Sequence, residues 1–423
     1  MGFRDLVDGI RTVKDPVSVN YDMKIASESS GNEPLLFSEI IESPGQRAVT
    51  NILTRHRLCE AFNVEPGELI DILSWAMENP SDTVLVGVDS APVLENKMEH
   101  TDISVLPIPW HYREDGGRYQ SSSIIVAQYG GQRNTSFHRQ LLKGPDRTTV
   151  RLVPRHLRTM ADQAFENNED VPIVVVNGPD PLVLLAAAMS FNEPIDELRV
   201  ASALHERLYG AKLGLVELPN GVQVPADSEY AMEARITTKL DDEGPYVDIT
   251  GTVDDIRQEP VIEYDSIYHR KEPIFHALIP AGVEHMTLMG MPRAPTIKTA
   301  VSEVVTCTDV YLTDGGSGWL SSVVQIIPEK SGDSMRAIRA ALDGHKSMKQ
   351  VIVVDTDIDV TNSTRVEWAL MTRWQPDKDT LILSDQKGSS LDPSRSPDGT
   401  TSKIGFDATI EPGADKTPFE SVL

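Results

Sequence analysis

Apolar residues recur at helical spacing in two stretches of the first hundred positions, Phe3–Val13 and Val49–Phe62, and the period predicts a helix over each. Thr83–Val88 (TVLVGV) is an apolar run closed by Asp89-Ser90 and predicts a buried strand. From about residue 103 the pattern shifts to short β-type runs, Ser121–Gln128, Thr135–Leu142 and Thr148–Val153, separated by Gly and Pro punctuation such as Asp115-Gly116-Gly117. That texture predicts a compact barrel or sandwich. Within it Ile173–Val176, Asn177-Gly178-Pro179-Asp180 and Pro181–Met189 predict strand, turn and helix, and a further β-rich stretch runs from Leu213 to Ile256. Past about residue 290 the α/β alternation returns. Helices are predicted over Ser334–Leu342, with Gly344 near its C-cap, and over Val366–Thr372; Val351–Val354 predicts a buried strand. The polar segment Ser384–Ser402 predicts a loop, and no internal repeat is found.

Composition narrows the function class. The chain has 423 residues, 39 Lys+Arg against 64 Asp+Glu, and a net charge of −25. Charged residues at 24% beside 40% hydrophobic content exclude a largely disordered chain. No apolar run approaches the ~18–20 residues that span a bilayer, so no membrane insertion is expected. The acidity argues against nucleic acid as a partner, because phosphate backbones need a basic surface. Cys59 and Cys307 stand alone, which excludes a cysteine zinc site and suits a reducing cytoplasm. The opening MGFRDLVDGIRTVKDP lacks the apolar core of a signal peptide, and a cytoplasmic location is expected.

Several motifs fail on inspection. Gly315-Gly316-Ser317-Gly318-Trp319 has Trp319 where a nucleophile elbow needs its last glycine, so it reads as a glycine-rich turn. Asp355-Thr356-Asp357-Ile358-Asp359 lacks the glycine and terminal glutamate of a calcium loop and reads as a carboxylate-rich strand end. More informative is Asn134–Arg139 (NTSFHR), followed by Arg151–Arg158 (RLVPRHLR), a dense basic cluster on β-type segments of an acidic protein. His156 near Asn134 offers one nitrogen and one oxygen to a divalent metal, or else is a structural histidine. Glu243-Gly244-Pro245-Tyr246-Val247-Asp248 is either a surface turn or a carboxylate pair around a turn, with Arg139 holding one ionised while the other carries a proton.

Taken in order and spacing, these strings resemble the UbiD-type decarboxylases, which use prenylated flavin mononucleotide. The resemblance is carried by Phe3-Arg4-Asp5-Leu6, Asp115–Tyr119, Asn134–Arg139, Pro154–Leu157, Ala187-Ala188-Met189 with Glu197, Val224-Pro225-Ala226 and Glu243–Asp248. It continues through Val353–Asp359, Glu367–Arg373 and Ser402–Thr409. The implied fold is a mixed α+β and α/β multidomain chain. It has an N-terminal α/β domain (1–102), a central split β-barrel that binds flavin (103–290) and a C-terminal α/β domain that dimerises (291–423).

The resemblance also implies the site. Asn134, His156 and Glu197 would hold a divalent metal, Mn²⁺ in the family, with K⁺ close by. Ala187 departs from relatives that carry Ser at the monovalent-ion site. Flavin contacts would come from Phe137, His138, Arg139, Arg151, Leu152, Val153, His156 and Leu157, with Lys349 a further candidate. Glu243, Arg139 and Asp248 would form the catalytic acid–arginine–acid trio, with Asp248 giving the proton. Implied partners are a flavin prenyltransferase that supplies the cofactor, and further copies of the chain in a homodimer or homohexamer. The strings Asn134–Arg139 and Arg151–Leu157 resemble the compact archaeal branch. That points to a phosphorylated acid, trans-anhydromevalonate 5-phosphate, converted to isopentenyl phosphate in an archaeal mevalonate route. The alternatives are a decarboxylase of 4-hydroxybenzoate or its polyprenylated form, and an FMN carrier or reductase without decarboxylase activity.

Overall fold

The computed structural model describes residues 2–191 and 193–419. They fall into two compact units. The first joins the residues up to Ala61 with Ala76–His285; the second joins Phe62–Trp75 with the residues from Met286 onward. The architecture is mixed α/β with several sheets. Among the described residues no helix is long and apolar enough to cross a membrane.

The first unit is built on an antiparallel sheet. Its path runs Tyr119–Gln120, Gln140–Leu142, Arg147–Val150, Arg257–His269, Tyr230–Glu243, Val171–Asn177, Ile124–Tyr129 and Gln132–Phe137, and Asn96–Lys97 adds to Arg257–His269. Val171–Asn177 lies in the interior of this path and is buried at all but Pro172, which explains its unbroken apolar run. Helix His156–Glu166 buries Leu157, Met160, Ala161 and Ala164, a single face at helical spacing, in the same core as Ile125, Ile173 and Met232. Helix Pro181–Ala188 starts where Asp180 accepts the Leu182 N–H (2.7 Å) and Pro181 fills the first turn. Helix Glu197–Tyr209 starts the same way, with Asp196 accepting from Leu198 (3.1 Å), and ends at Gly210 in the left-handed region.

A small sheet carries the first fifty residues: Arg11–Val13, Leu35–Phe37, Arg47–Thr50 and, from far along the chain, Ile274–His276. Two expected helices are corrected here. Phe3–Val13 is a 3-10 turn, Phe3–Leu6, followed by strand Arg11–Val13. Phe3 and Leu6 are buried as the period required, but Gly9, at φ +75°, breaks the run. Val49–Phe62 starts as the end of strand Arg47–Thr50, turns at Asn51 (φ +59°), and becomes helical only at Arg55. The buried Glu284 carboxylate fixes that turn by accepting the N–H groups of Asn51 (3.1 Å) and Leu53 (3.0 Å). Thr83–Val88 is also corrected. Only Val84–Leu85 forms a strand, paired on one side with Gly214–Glu217, and the two residues are 45% and 60% exposed.

The second unit is a five-stranded sheet ordered Thr306–Leu312, Ser321–Ile327, Gln350–Val354, Thr400–Ala408 and Thr380–Lys387, parallel in the middle and antiparallel at both edges. Helix Asp333–Gly344 rests on it through Gly405, where any side chain would overlap Ile338. The expected loop Ser384–Ser402 is shorter: its ends belong to the two strands that flank it. Gly315–Trp319 is a turn, as read, and Gly318 (φ +61°) must be glycine because a side chain would meet Met286 O. The strand-end carboxylates Asp355 and Asp357 are held by the buried Arg373 (2.9 and 2.5 Å).

Candidate active site

One guanidinium organises the polar centre of the first unit. Arg139 sits between strands Gln132–Phe137 and Gln140–Leu142 and is almost wholly buried. Its Nε and Nη2 donate to the two oxygens of Glu243 (2.9 Å each), Nη1 to Asp248 Oδ2 (2.8 Å), and Nη2 again to Asp254 Oδ2 (2.8 Å). The Tyr246 ring lies 4.6 Å from the guanidinium carbon. Burial alone lowers the guanidinium pKa, but the hydrogen bonds and charges of Glu243, Asp248 and Asp254 more than reverse it.

The carboxylates are placed by a hairpin. Strand Tyr230–Glu243 delivers Glu243, fully buried, and the chain turns through Gly244 and a cis Gly244-Pro245 bond. Tyr246–Val247 then pairs with Val253–Asp254, so Asp248 and Asp254 stand on opposite arms of one short hairpin. Gly244 (φ +100°) has no room for a side chain, which would meet Asp255 O at 2.7 Å. Gly116 N donates to Pro245 O (2.7 Å) and clamps the turn from outside. The Tyr119 hydroxyl donates to Glu243 Oε1 (3.2 Å) and accepts from Gly244 N (3.1 Å); burial and the Glu243 charge raise its pKa. Asp115 accepts the Val247 N–H (2.7 Å), and burial pushes its carboxyl up to about 6.

Glu243 and Asp248 are therefore not equivalent. Glu243 has both oxygens on Arg139 and no exposure. Asp248 gives one oxygen to Arg139, takes the Ile249 N–H on the other (2.7 Å), and keeps a side chain 21% exposed. Of the two, only Asp248 reaches solvent. Near it lies His285, half-buried, its Nδ1 accepting from Ala281 N (3.1 Å). Burial lowers its pKa against the opposing charges of Asp248 and Glu284.

A second polar chain runs along strand Gln132–Phe137. Asn134 Nδ2 donates to Glu197 Oε1 (2.9 Å) and Thr135 N to Glu197 Oε2 (2.7 Å). Ser136 Oγ donates to Asn134 Oδ1 (2.9 Å) and lies 3.0 Å from His138 Nε2, while His138 Nδ1 donates to Arg151 O (3.0 Å). Burial lowers the His138 ring to about 4, so it is neutral. Burial raises Glu197 to about 8, and Asp196 adds to the shift. Asn134 and His156 line one cavity of about 160 Å³ together with Thr159, Gln163 and Ile195. Among the described residues no group of three His, Cys, Asp or Glu side chains is disposed to hold a metal; Asn134, His156 and Glu197 contain only two of those types. Oxygen from a carboxamide and a carboxylate, with one imidazole, still fits a hard divalent cation. A buried carboxyl pushed up to about 8 is one that lacks a counter-charge.

The remaining expected contacts are spread differently. Arg151 pairs with Glu259, and Arg155 donates to Ser190 Oγ. Leu152 and Leu157 have side chains in the core, leaving their main chain to offer, while Phe137 is half-buried and Val153 exposed. Ala187 is buried in helix Pro181–Ala188. Lys349 belongs to the second unit, where Asp392 (2.9 Å) and Ser394 (2.5 Å) hold its ammonium. Sequence reasoning missed Asp254, Arg257, Tyr119 and Asp115 as site residues. The signal for Asp254 was the hairpin: Gly251 at the turn and two-residue β runs on either side place it beside Asp248.

Residues 84–283 match the model of the 3-octaprenyl-4-hydroxybenzoate carboxy-lyase Rift-related domain, and residues 286–408 that of the C-terminal domain of the same carboxy-lyase. A protein of Methanosarcina mazei named anhydromevalonate phosphate decarboxylase is 40% identical over 420 residues, covering 97% of this chain and 96% of that one. Among solved structures, the UbiD-class enzyme HmfF from Pelotomaculum thermopropionicum in complex with FMN matches with a TM-score of 0.94 at 32% identity, over 100% of this chain and 97% of that one. An evolved dimeric form of HmfF in complex with prFMN matches with a TM-score of 0.89 at 31% identity, over 98% and 96%.

Proposed function

The chain belongs to the UbiD family of decarboxylases, and from that premise we propose that it uses prenylated FMN and a divalent metal to convert trans-anhydromevalonate 5-phosphate to isopentenyl phosphate and CO₂. The observation that carries the chemistry is the Arg139 guanidinium held between a buried Glu243 and a part-exposed Asp248. The full-length similarity to the M. mazei decarboxylase supports the substrate. In this reading the open antiparallel sheet of the first unit is the family's split barrel, and the second unit is its dimerising part.

When bound, prenylated FMN supplies the electron sink that takes up negative charge as CO₂ leaves. The protein's share is positioning and the proton. Asp248, protonated, gives its proton to the carbon that carried the carboxylate, and Arg139 fixes the acid's direction through Oδ2. Glu243 neutralises Arg139 from the buried side, and Tyr119 and Tyr246 wall the guanidinium from water. Asn134, His156 and Glu197 would hold Mn²⁺, with K⁺ near Ala187. The first turn of helix His156–Glu166 leaves N–H groups free of intrahelical partners and suits a flavin phosphate. A flavin prenyltransferase supplies the cofactor, the protein works in the cytoplasm, and copies associate as a homodimer or larger.

The test uses protein co-produced with a flavin prenyltransferase and purified without oxygen. Phosphorus NMR of its incubation with trans-anhydromevalonate 5-phosphate is expected to show isopentenyl phosphate. No product from protein carrying the modified flavin overturns the substrate and turns the search to aromatic acids.

A further inference from the structure

Two consecutive residues of strand Gln132–Phe137 meet two consecutive residues at the start of helix Glu197–Tyr209. Asn134 binds Glu197, and one position earlier Arg133 grips Asp196. Arg133 Nη2 donates to Asp196 Oδ2 (2.6 Å), and Nε lies 3.1 Å from both Asp196 oxygens. The two side chains are only 12% and 22% exposed, so solvent screens the pair less than it would a surface one. Arg133 Nη1 donates to Gln223 Oε1 (3.1 Å), which fixes the guanidinium to strand Gln223–Pro225 as well.

Asp196 has a second task. Its Oδ1 accepts the Leu198 N–H (3.1 Å) and so caps the helix whose first residue is Glu197. The residue that starts the helix is thus the one that Arg133 ties to the strand. Gln132–Phe137 ends its sheet and pairs with Ile124–Tyr129 on one side alone, so no neighbouring strand sets the distance on its outer side. The outward Thr135 N–H goes to Glu197 instead. Arg133 also lines the cavity of about 160 Å³ that Asn134 and His156 share.

We infer that the Arg133–Asp196 pair is a positioning device for the metal site, fixing Glu197 against Asn134 at the spacing a divalent cation needs. The inference rests on the reading of Asn134, His156 and Glu197 as metal ligands. Asp196 is not a further ligand, because both its oxygens are committed to Arg133 and one also to the Leu198 N–H. Groups behind the ligands of a metal site set ligand orientation, and their loss costs roughly 10–100-fold in affinity. A simple charge effect has the opposite sign. Arg133 puts a positive charge beside a cation site, so if charge dominated, its removal would tighten binding. If position dominates, its removal weakens binding.

The experiment reads metal affinity in the full-length chain, stripped of metal by a chelator and supplied with FMN. Mn²⁺ is titrated in, and the electron paramagnetic resonance signal of free Mn²⁺ is followed as it is lost on binding. His156→Ala protein gives the background of Mn²⁺ held elsewhere on the acidic surface. Arg133→Met is expected to raise the Mn²⁺ dissociation constant at least ~10-fold. Arg133→Lys, which keeps the charge and one bond to Asp196, should recover part of that loss. Asp196→Asn still offers an oxygen to the Leu198 N–H but loses the ion pair, and should weaken Mn²⁺ as well. Combined with Arg133→Met it should cost no more than the larger single loss, as two partners of one contact do. Arg133→Gln is a second neutral variant should Arg133→Met not fold, with circular dichroism as the check. Unchanged or tighter Mn²⁺ binding in a folded neutral variant at Arg133 overturns the inference while the metal reading stands. A parent protein that binds no more Mn²⁺ than His156→Ala rejects the metal reading, and the inference with it.

Discussion

Arg139 holds Asp248 by one oxygen and Glu243 by two. In the proposed reaction the acid that releases a proton needs access to the substrate, and of the two carboxylates Asp248 is the one with a part-exposed side chain. General acid catalysis contributes ~10²–10⁴-fold. Asp248→Asn, which keeps the shape and an oxygen for Arg139, should retain flavin absorbance and lose at least ~10²-fold in kcat. Flavin retention with near-normal kcat would remove Asp248 from the role.

Tyr119 serves the buried carboxylate rather than the substrate. Its hydroxyl donates to Glu243 and accepts from the Gly244 N–H, and its ring packs tilted against Tyr246, with centroids 4.6 Å apart and planes at 58°. Tyr119→Phe keeps the ring, takes the acceptor from the buried Gly244 N–H and leaves Glu243 Oε1 with Arg139 alone; an unsatisfied buried group costs ~1–3 kcal/mol. Urea unfolding should show a lower midpoint with an unchanged slope. An unaltered midpoint would mean that the buried Gly244 N–H needs no such partner.

The site strings were legible through the resemblance and not through local order. Asn134–Arg139 and Glu243–Asp248 each lie on one strand end and its turn, and the second by itself reads equally as a surface turn. Helix Asp333–Gly344 was legible from its apolar face at helical spacing, but helix His156–Glu166 was not: the string Arg151–Arg158 reads as β-type, yet the chain turns helical at His156 and buries Leu157, Met160, Ala161 and Ala164. What periodicity could not show was tertiary override. Val49–Phe62 has a helical period, yet its first residues are drawn into a sheet completed by Ile274–His276, more than two hundred residues later. Glu284, just as distant, fixes the turn at Asn51. Asp254 and Arg257 escaped notice because an Asp-Asp-Ile-Arg string reads as a solvated turn until a hairpin register aims it at Arg139.

Acid sensitivity should have a traceable histidine component. His111 is buried, with Nε2 donating to Leu278 O (3.0 Å), and burial lowers its pKa to about 3 against the ordinary ~6.5. Between those values the unfolded chain binds a proton that the folded one does not. The associated stability is fully present above about pH 6.5 and is lost as pH falls toward 3, by up to ~1.4 kcal/mol per pH unit. His111→Gln keeps a donor for Leu278 O and does not titrate. Its unfolding free energy, followed by urea titration from pH 7 to 4.5, should fall less steeply than that of the parent, by about one proton's worth of slope. Equal slopes would place the acid sensitivity elsewhere.

Arg139→Lys separates charge from geometry. Lysine keeps the positive charge, but its ammonium is a point donor and cannot span Glu243, Asp248 and Asp254 as the planar fork does. Glu243, with no exposure, would lose one or both of its charge-assisted bonds, and breaking a buried pair costs ~3–5 kcal/mol. The loss should depend on the carboxylate. In Arg139→Met the orphaned Glu243 carries the full penalty, whereas in the double variant Arg139→Met with Glu243→Met the buried charge is gone and stability should recover by several kcal/mol. Both variants should be inactive, since neither holds Asp248 in place. Thermal unfolding of the parent, Arg139→Met, Glu243→Met and the double variant, with circular dichroism to confirm the fold, gives the coupling directly. Additive losses in the double variant would mean that the Arg139–Glu243 pair does not act as a unit, and that the guanidinium is held for Asp248 alone.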